Sequence, residues 1–408
     1  SSGKNIRPLL GGKQNKCQLS FADIEKYVSS NWINLLTSWQ KPYILSKRVR
    51  NYSKSLLSSG FARVSTIKQR FTEDLPAGEE FYFQWHITER CNRACKHCYQ
   101  DGHITAELKL TDLLTIVDRM EAAVRKWGRK GTLSLTGGEP FIRRDDLHTL
   151  MNRIDGSDCL AYYDVLTNGS LISEAETQAL VKHPRLRRVQ VSLEGATAKT
   201  NDAIRGTGSF ESTISAIRLL RDAGIAVSVM TTISRFNKDE IPALIDLIGK
   251  EGVSTLAFER LIPEGTGADM SDQVLSSEEL RKVYEGIYQV ATNGSLVRVL
   301  LYRPLLALLA PNDVTVGALC SAGNNALTIM PDGTVLPCRR LPIPIGNALT
   351  DGFFKIWYGS EVLWRLRNPN NLGGKCRDCD LLTQCRGCRA MAYFTTGNYM
   401  GEDPQCWR

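Results

Sequence analysis

Ten of the twelve cysteines fall into two groups, Cys91, Cys95 and Cys98 in one stretch and Cys320, Cys338, Cys376, Cys379, Cys385, Cys388 and Cys406 towards the C-terminal end. Three thiolates spaced CxxxCxxC can hold three irons of a cubane cluster and leave the fourth open, and seven more suggest further metal centres. An open iron is a place for chemistry. The alternative is structural zinc. At the first group zinc would need a fourth ligand that His97, beside Cys98, could not easily supply, whereas the CxxC pairs Cys376/Cys379 and Cys385/Cys388 also allow zinc ribbons. Cys159, next to a strand-like run, reads as a small buried hydrophobe, and Cys17 could join a site only if the N-terminal segment folded back.

The first group follows an aromatic, β-branched run over residues 81–88 that ends in a polar turn, so the cysteine loop belongs at the C-terminal end of a strand, where open sheets and barrels place their sites. Further strands are expected at 131–136, 160–167, 187–193, 225–233 and 254–260, with amphipathic helices between them, such as 110–127 and 214–223. Six βα units argue for an α/β fold with a parallel sheet and outer helices. Several of these strands end in polar residues that face one mouth. Thr136-Gly137-Gly138-Glu139-Pro140 follows the second, Thr167-Asn168-Gly169 the third and Ser192-Leu193-Glu194-Gly195 the fourth, with Arg205 soon after.

The cysteine motif and the Gly-Gly-Glu-Pro turn together resemble the radical S-adenosylmethionine (radical SAM) superfamily. The resemblance implies a partial (β/α)6 TIM-like barrel over 81–265 and a 4Fe-4S cluster on Cys91, Cys95 and Cys98 whose open iron binds SAM. An electron from that cluster would break the sulfonium C–S bond, giving methionine and a 5'-deoxyadenosyl radical, while the protein orients the cofactor and keeps water away. Gly137 and Gly138 would let the backbone approach the methionyl end, with Glu139 and Pro140 completing a turn that offers acceptors to its ammonium. His97 is expected near the adenine, and Ser192, Glu194 and Arg205 at the SAM ribose or carboxylate, Glu194 standing where Asp is commoner. Asn168 faces the same mouth, and Thr231 or Thr232 is a further candidate.

The C-terminal cysteines resemble the SPASM extension, over 318–408: a glycine turn at Gly333 leading to Cys338, a CxxC, five residues, a second pair and a last cysteine. By that resemblance Cys376, Cys379, Cys385 and Cys406 hold a distal auxiliary cluster, and Cys320, Cys338 and Cys388 a nearer one. Residues 321–327 contain no eighth cysteine, so the nearer cluster has an open iron, a non-cysteine ligand or a smaller core. SPASM enzymes mostly act on peptides or proteins, forming crosslinks, epimers or oxidised residues, and some relatives modify tetrapyrroles. In the sulfatase-maturing branch an Asp follows the second of these cysteines. Here Arg339 and Arg340 follow Cys338, which argues against that activity and suggests a pair that holds a substrate carboxylate bidentately. The partners expected are a peptide or protein substrate and an electron donor such as flavodoxin or ferredoxin.

Residues 1–80 read as a mainly helical segment, for substrate recognition or for packing on the barrel, and 266–317 as a bridging region. The net charge of +8 is scattered along the chain, as on an ordinary solvated surface rather than a nucleic-acid footprint. Neither a membrane-length apolar run nor a signal-peptide pattern is seen, so the expectation is a cytoplasmic protein with reduced, metal-binding thiols for which oxygen is a hazard. The competing class is a zinc-stabilised, non-catalytic binding protein with a degenerate barrel.

Overall fold

Alternating strands and helices dominate the computed structural model, which describes residues 80–100 and 106–408. In order they are β1 (Glu80–His86), α1 (Leu110–Trp127), β2 (Lys130–Thr136), α2 (Arg144–Asp155), β3 (Leu160–Thr167), α3 (Glu174–Leu180), β4 (Leu186–Ser192), α4 (Ala198–Arg205), α5 (Ser209–Asp222), β5 (Val227–Ile233), α6 (Ile241–Lys250) and β6 (Thr255–Arg260). Then come α7 (Ser277–Thr292), β7 (Arg298–Val299), β8 (Ala326–Ile329), β9 (Thr334–Leu336), β10 (Gly346–Asn347), α8 (Phe353–Gly359), α9 (Glu361–Arg367) and α10 (Arg389–Thr396). The helical segment expected over 1–80 and Cys17 lie outside the described residues, apart from Glu80 in β1. None of the described helices is long and apolar enough to cross a membrane.

β1 to β6 pair in parallel, each with the next, as the alternating pattern requires. The two faces of β1 differ in chemistry. Phe81, Phe83 and Trp85 are fully buried towards the outer layer, where Phe81 meets Trp127 of α1 and Trp357 of α8, and Phe83 meets Phe353. Tyr82, Gln84 and His86 alternate onto the inner face, in register with Thr132, Ser134 and Thr136 of β2, and the Tyr82 hydroxyl donates to Ser134 at 2.8 Å. Packed barrels are filled by branched aliphatic side chains. A polar inner face is costly unless its groups find partners, so this lumen suits a polar guest.

The sheet does not stop at six strands. β8 adds to β1 in parallel, from Tyr82↔Ala326 to Trp85↔Ile329, and β9 and β10 follow antiparallel, while β7 extends the β6 side. Among the described residues it is an open sheet of ten strands with β10 and β7 at its edges. The cysteine-rich segment therefore continues the barrel sheet. Gly333, at φ +84°, makes the tight turn from β8 into β9, and β9 leads directly to Cys338. A second tie is the buried pair between Arg260, at the end of β6, and Asp403. Its two bonds measure 3.0 and 2.8 Å, and Asp403 also accepts from the Cys388 amide at 2.7 Å.

The cysteine loop has no regular structure and is held from outside. Gly138 donates to the Thr88 carbonyl and Glu139 to that of Arg90, both at 2.9 Å. Lys96 donates to Ile204 of α4 at 2.9 Å, and after β6 Gly267 donates to Cys98 at 2.8 Å and Thr266 to Gln100 at 2.9 Å. The approach is so close that a Cβ on Gly138 would stand 2.4 Å from the Arg90 carbonyl oxygen, and one on Gly137 2.4 Å from that of Thr88.

Two outcomes follow. Because the obstructing atoms are backbone, Gly138→Ala is expected to displace the cysteine loop and abolish retention of iron at that site. Gly286→Ala in α7, where a Cβ meets nothing within 4 Å, is the control and should raise stability by about 0.5 kcal/mol; iron analysis and thermal melts of the two variants check this. Asp403→Ala leaves the Arg260 charge buried and unpaired, and should lower unfolding stability by about 3–5 kcal/mol in denaturant titrations, with loss of iron from the C-terminal centres.

Candidate active site

Cys91, Cys95 and Cys98 come together at the C-terminal end of β1, and all eleven cysteines among the described residues are free thiols. Asn168 donates its amide to the Cys91 sulfur at 3.8 Å and to Asn92 at 2.9 Å, so this predicted residue touches the cluster loop. Removal from solvent raises the Cys91 and Cys98 thiols above their ordinary range, and each neighbouring cysteine adds to it. Backbone N–H groups two residues on, from Arg93 and Gln100, oppose that rise by pointing at the two sulfurs. Such sulfurs become thiolates once a metal supplies the missing positive charge.

The Gly-Gly-Glu-Pro turn ties its carboxylate into the neighbouring strand end. Glu139 is fully buried, and its carboxylate accepts from the Thr167 hydroxyl at 2.8 and 2.9 Å, from the Asn168 amide at 2.8 Å and from Phe141 at 3.2 Å. Burial lifts its carboxyl to about 7 against those bonds. Glu139 thus ties the end of β2 to the end of β3, Pro140 opens the short helical turn that follows, and the two glycines make the close approach to the cysteine loop.

The second predicted group does assemble. Glu194 receives Arg205 at 2.8 Å and His97 at 3.1 Å on one oxygen and the Thr232 amide at 2.6 Å on the other. Burial pushes the Glu194 carboxyl up, but His97, Arg205 and Thr232 outweigh it and hold it below the usual carboxylate range. His97 therefore faces Glu194 through Nε2, while its buried Nδ1 has no partner among the described residues. Ser192 closes β4 on the inner face. Thr231 donates to the Leu193 carbonyl at 2.7 Å, so of the two threonines it is Thr232, through its backbone, that meets the acid.

The C-terminal cysteines sort into two sets. Cys376, Cys379, Cys385 and Cys406 line one cavity of about 200 Å3, with Asp380 and Arg408 at its side. Cys320, Cys338 and Cys388 influence one another in a second set. Burial raises Cys338 and Cys385 to about 12, and Cys320 and Cys406 in the same direction. The turn seen at Cys91 recurs: amides two residues on point at the sulfurs of Cys320, Cys338, Cys385 and Cys406. A cubane held at its corners by cysteine thiolates receives N–H···S bonds of this kind.

Each arginine of the pair meets a carboxylate of the chain. Arg340 pairs with Glu259 at 2.7 Å, and Glu259 also holds Arg303. Arg339 is buried, donates to Glu264 at 3.2 Å and to the Tyr99 carbonyl at 3.3 Å, and lies over the Tyr99 ring at 4.4 Å. The residue after Cys338 is thereby in contact with the residue after Cys98. Sequence reasoning missed Tyr99, Glu259 and Asp403, whose roles appear only once distant segments meet.

Residues 85–248 match the radical SAM superfamily, and residues 320–389 match SPASM, the iron-sulfur cluster-binding domain. An AdoMet-dependent heme synthase of Methanosarcina barkeri is 30% identical over 345 residues, covering 79% of this chain and 95% of that protein. Mycofactocin maturase MftC of Mycolicibacterium smegmatis is 32% identical over 334 residues, covering 79% and 81%. Among solved structures, Streptococcus suis SuiB bound to precursor peptide SuiA superposes with a TM-score of 0.65 at 16% identity, over 92% of this chain and 90% of that one. Native anSMEcpe with bound AdoMet gives 0.64 at 15% identity, over 80% and 94%. The two solved structures share the fold, and the family matches carry the chemistry. The chain belongs to the radical SAM superfamily, in its SPASM branch, and is an enzyme that binds S-adenosylmethionine and a 4Fe-4S cluster in its barrel and auxiliary iron-sulfur clusters in its C-terminal domain.

Proposed function

We propose that this enzyme abstracts hydrogen from a peptide or protein substrate at the barrel mouth and returns it as a crosslinked, epimerised or oxidised residue, as a ribosomal peptide maturase. When bound, the first cluster and SAM supply the electron and the 5'-deoxyadenosyl radical that takes the hydrogen atom. The chain's own residues hold and orient. Cys91, Cys95 and Cys98 are the proposed cluster ligands, and Glu194, fixed by Arg205 and His97, presents a buried negative group at the end of β4. Gly137 and Gly138 keep the cysteine loop seated, and Asn168 donates towards Cys91.

The observation that carries an oxidative outcome is the contact of Arg339 with Tyr99, since it brings the segment of Cys338 against the segment of Cys98. An auxiliary centre on Cys320, Cys338 and Cys388 would then stand beside the substrate site, ready to take an electron from an oxidised product. Cys376, Cys379, Cys385 and Cys406 are the proposed ligands of the distal centre, and flavodoxin or ferredoxin the proposed donor to the first cluster. The division into a core over 81–265 and a SPASM domain over 318–408 belongs to the same proposal. A second reading, modification of a tetrapyrrole, is favoured by the heme synthase likeness, which spans 95% of that relative.

Replacing Cys91, Cys95 and Cys98 together by Ala should abolish 5'-deoxyadenosine formation under reducing, anaerobic conditions while the C-terminal iron remains. Full SAM cleavage by that variant would overturn the ligand assignment. The wild type is expected to hold about twelve irons per chain, falling by about four in the triple variant. Mössbauer spectra indicating four irons in all would remove the auxiliary centres from the proposal.

A further inference from the structure

His86 ends β1 on the inner face and is fully buried, yet neither ring nitrogen has a partner among the described residues. A buried polar group without a partner costs roughly 1–3 kcal/mol, so such a group calls for an explanation. One lies nearby. The His86 and Tyr99 rings stand nearly perpendicular, with centroids 6.1 Å apart at 77°. The face of Tyr99 carries the Arg339 guanidinium, whose Nε is likewise buried and unpartnered among the described residues. Two donor-bearing side chains, one from β1 and one from beyond β9, thus flank a single aromatic ring just past the Cys98 position.

We infer that His86 and Arg339 together anchor a carboxylate of the substrate, beside the Tyr99 ring that both of them meet. The chemistry suits that group. A carboxylate accepts hydrogen bonds only, and here it would meet an imidazole N–H and the free guanidinium N–H. Burial, and then the Arg339 charge, hold the His86 imidazole well below its ordinary value, so it enters neutral, with one donor nitrogen and one acceptor. The other guanidinium edge is already occupied by Glu264 and the Tyr99 carbonyl, which fixes the direction of Nε. His86 is a positioning and specificity residue in this account. An acidic peptide side chain and a tetrapyrrole propionate offer the same group.

This inference rests on the barrel mouth being the substrate site, and its test is a preference ratio that a purely structural role would not move. Binding to the reconstituted, SAM-loaded enzyme is measured for iron-coproporphyrin III against its tetramethyl ester, and for a blocked pentapeptide with a central glutamate against the same peptide with glutamine. The wild type is expected to prefer the acid over its neutral partner by about tenfold or more in one of the two arms, which names the source of the carboxylate. His86→Phe fills the ring volume without hydrogen bonds and should bring that ratio close to one, as should Arg339→Gln. His86→Asn, which retains a donor and an acceptor, should keep most of it. Absence of acid preference in the wild type with every probe overturns the inference, and so does an unchanged ratio in His86→Phe or, where that variant does not fold, in Arg339→Gln. Reductive SAM cleavage by the same wild-type preparation separates the two claims: cleavage without acid preference sinks only the anchor, whereas no cleavage sinks the functional reading beneath it.

Discussion

Everything in this molecule answers to a loop that cannot hold its own shape. Residues 89–100 carry three cysteines and no hydrogen-bonded ladder, so their backbone groups must be satisfied by the ends of other elements. They are gripped by the turn after β2, by α4 and by the turn after β6, all through main-chain bonds that hardly depend on side-chain identity. Glycines at 137 and 138 are the sequence cost of that arrangement, since a methyl group at either would overlap a carbonyl oxygen. A parallel sheet provides the right scaffold because all its strand ends arrive on the same side.

The electrostatics follow from the same loop. Thiols collected in a protein resist ionisation, and burial pushes Cys338 and Cys385 to about 12 in the absence of metal charge. The chain lowers that resistance with amide donors aimed at sulfur, a local device that costs no extra side chain. Larger charges are paired: Glu194 with Arg205, Glu259 with Arg303 and Arg340, Asp403 with Arg260. Buried pairs of this type need not add stability relative to apolar packing, but breaking one is costly, which keeps each site in a single arrangement.

Much of this was legible in the residues. β1 to β6 alternate or run apolar over six to eight residues, and α1 has an amphipathic stripe ending at a left-handed Gly128, so local physics places them. β8 has only four residues and owes its strand state to β1, which no local pattern announces. The cysteine sets were readable from spacing and resemblance together. The partner of a charged side chain was not: no spacing joins Glu139 to Thr167 and Asn168, or Arg339 and Arg340 to Glu264 and Glu259. His86 looked like one more residue of an aromatic strand, because an unsatisfied nitrogen becomes visible only when its surroundings are known.

The pairing of β8 with β1 also sets an order in time. On the ribosome the strand that carries the cysteine loop emerges well before the strand that covers its open edge. Until β8 is made, β1 offers unpaired amides and carbonyls on that edge, along with Phe81 and Phe83, whose aromatic partners in α8 also come later. A cluster inserted before β8 has been made would sit on an unfinished sheet.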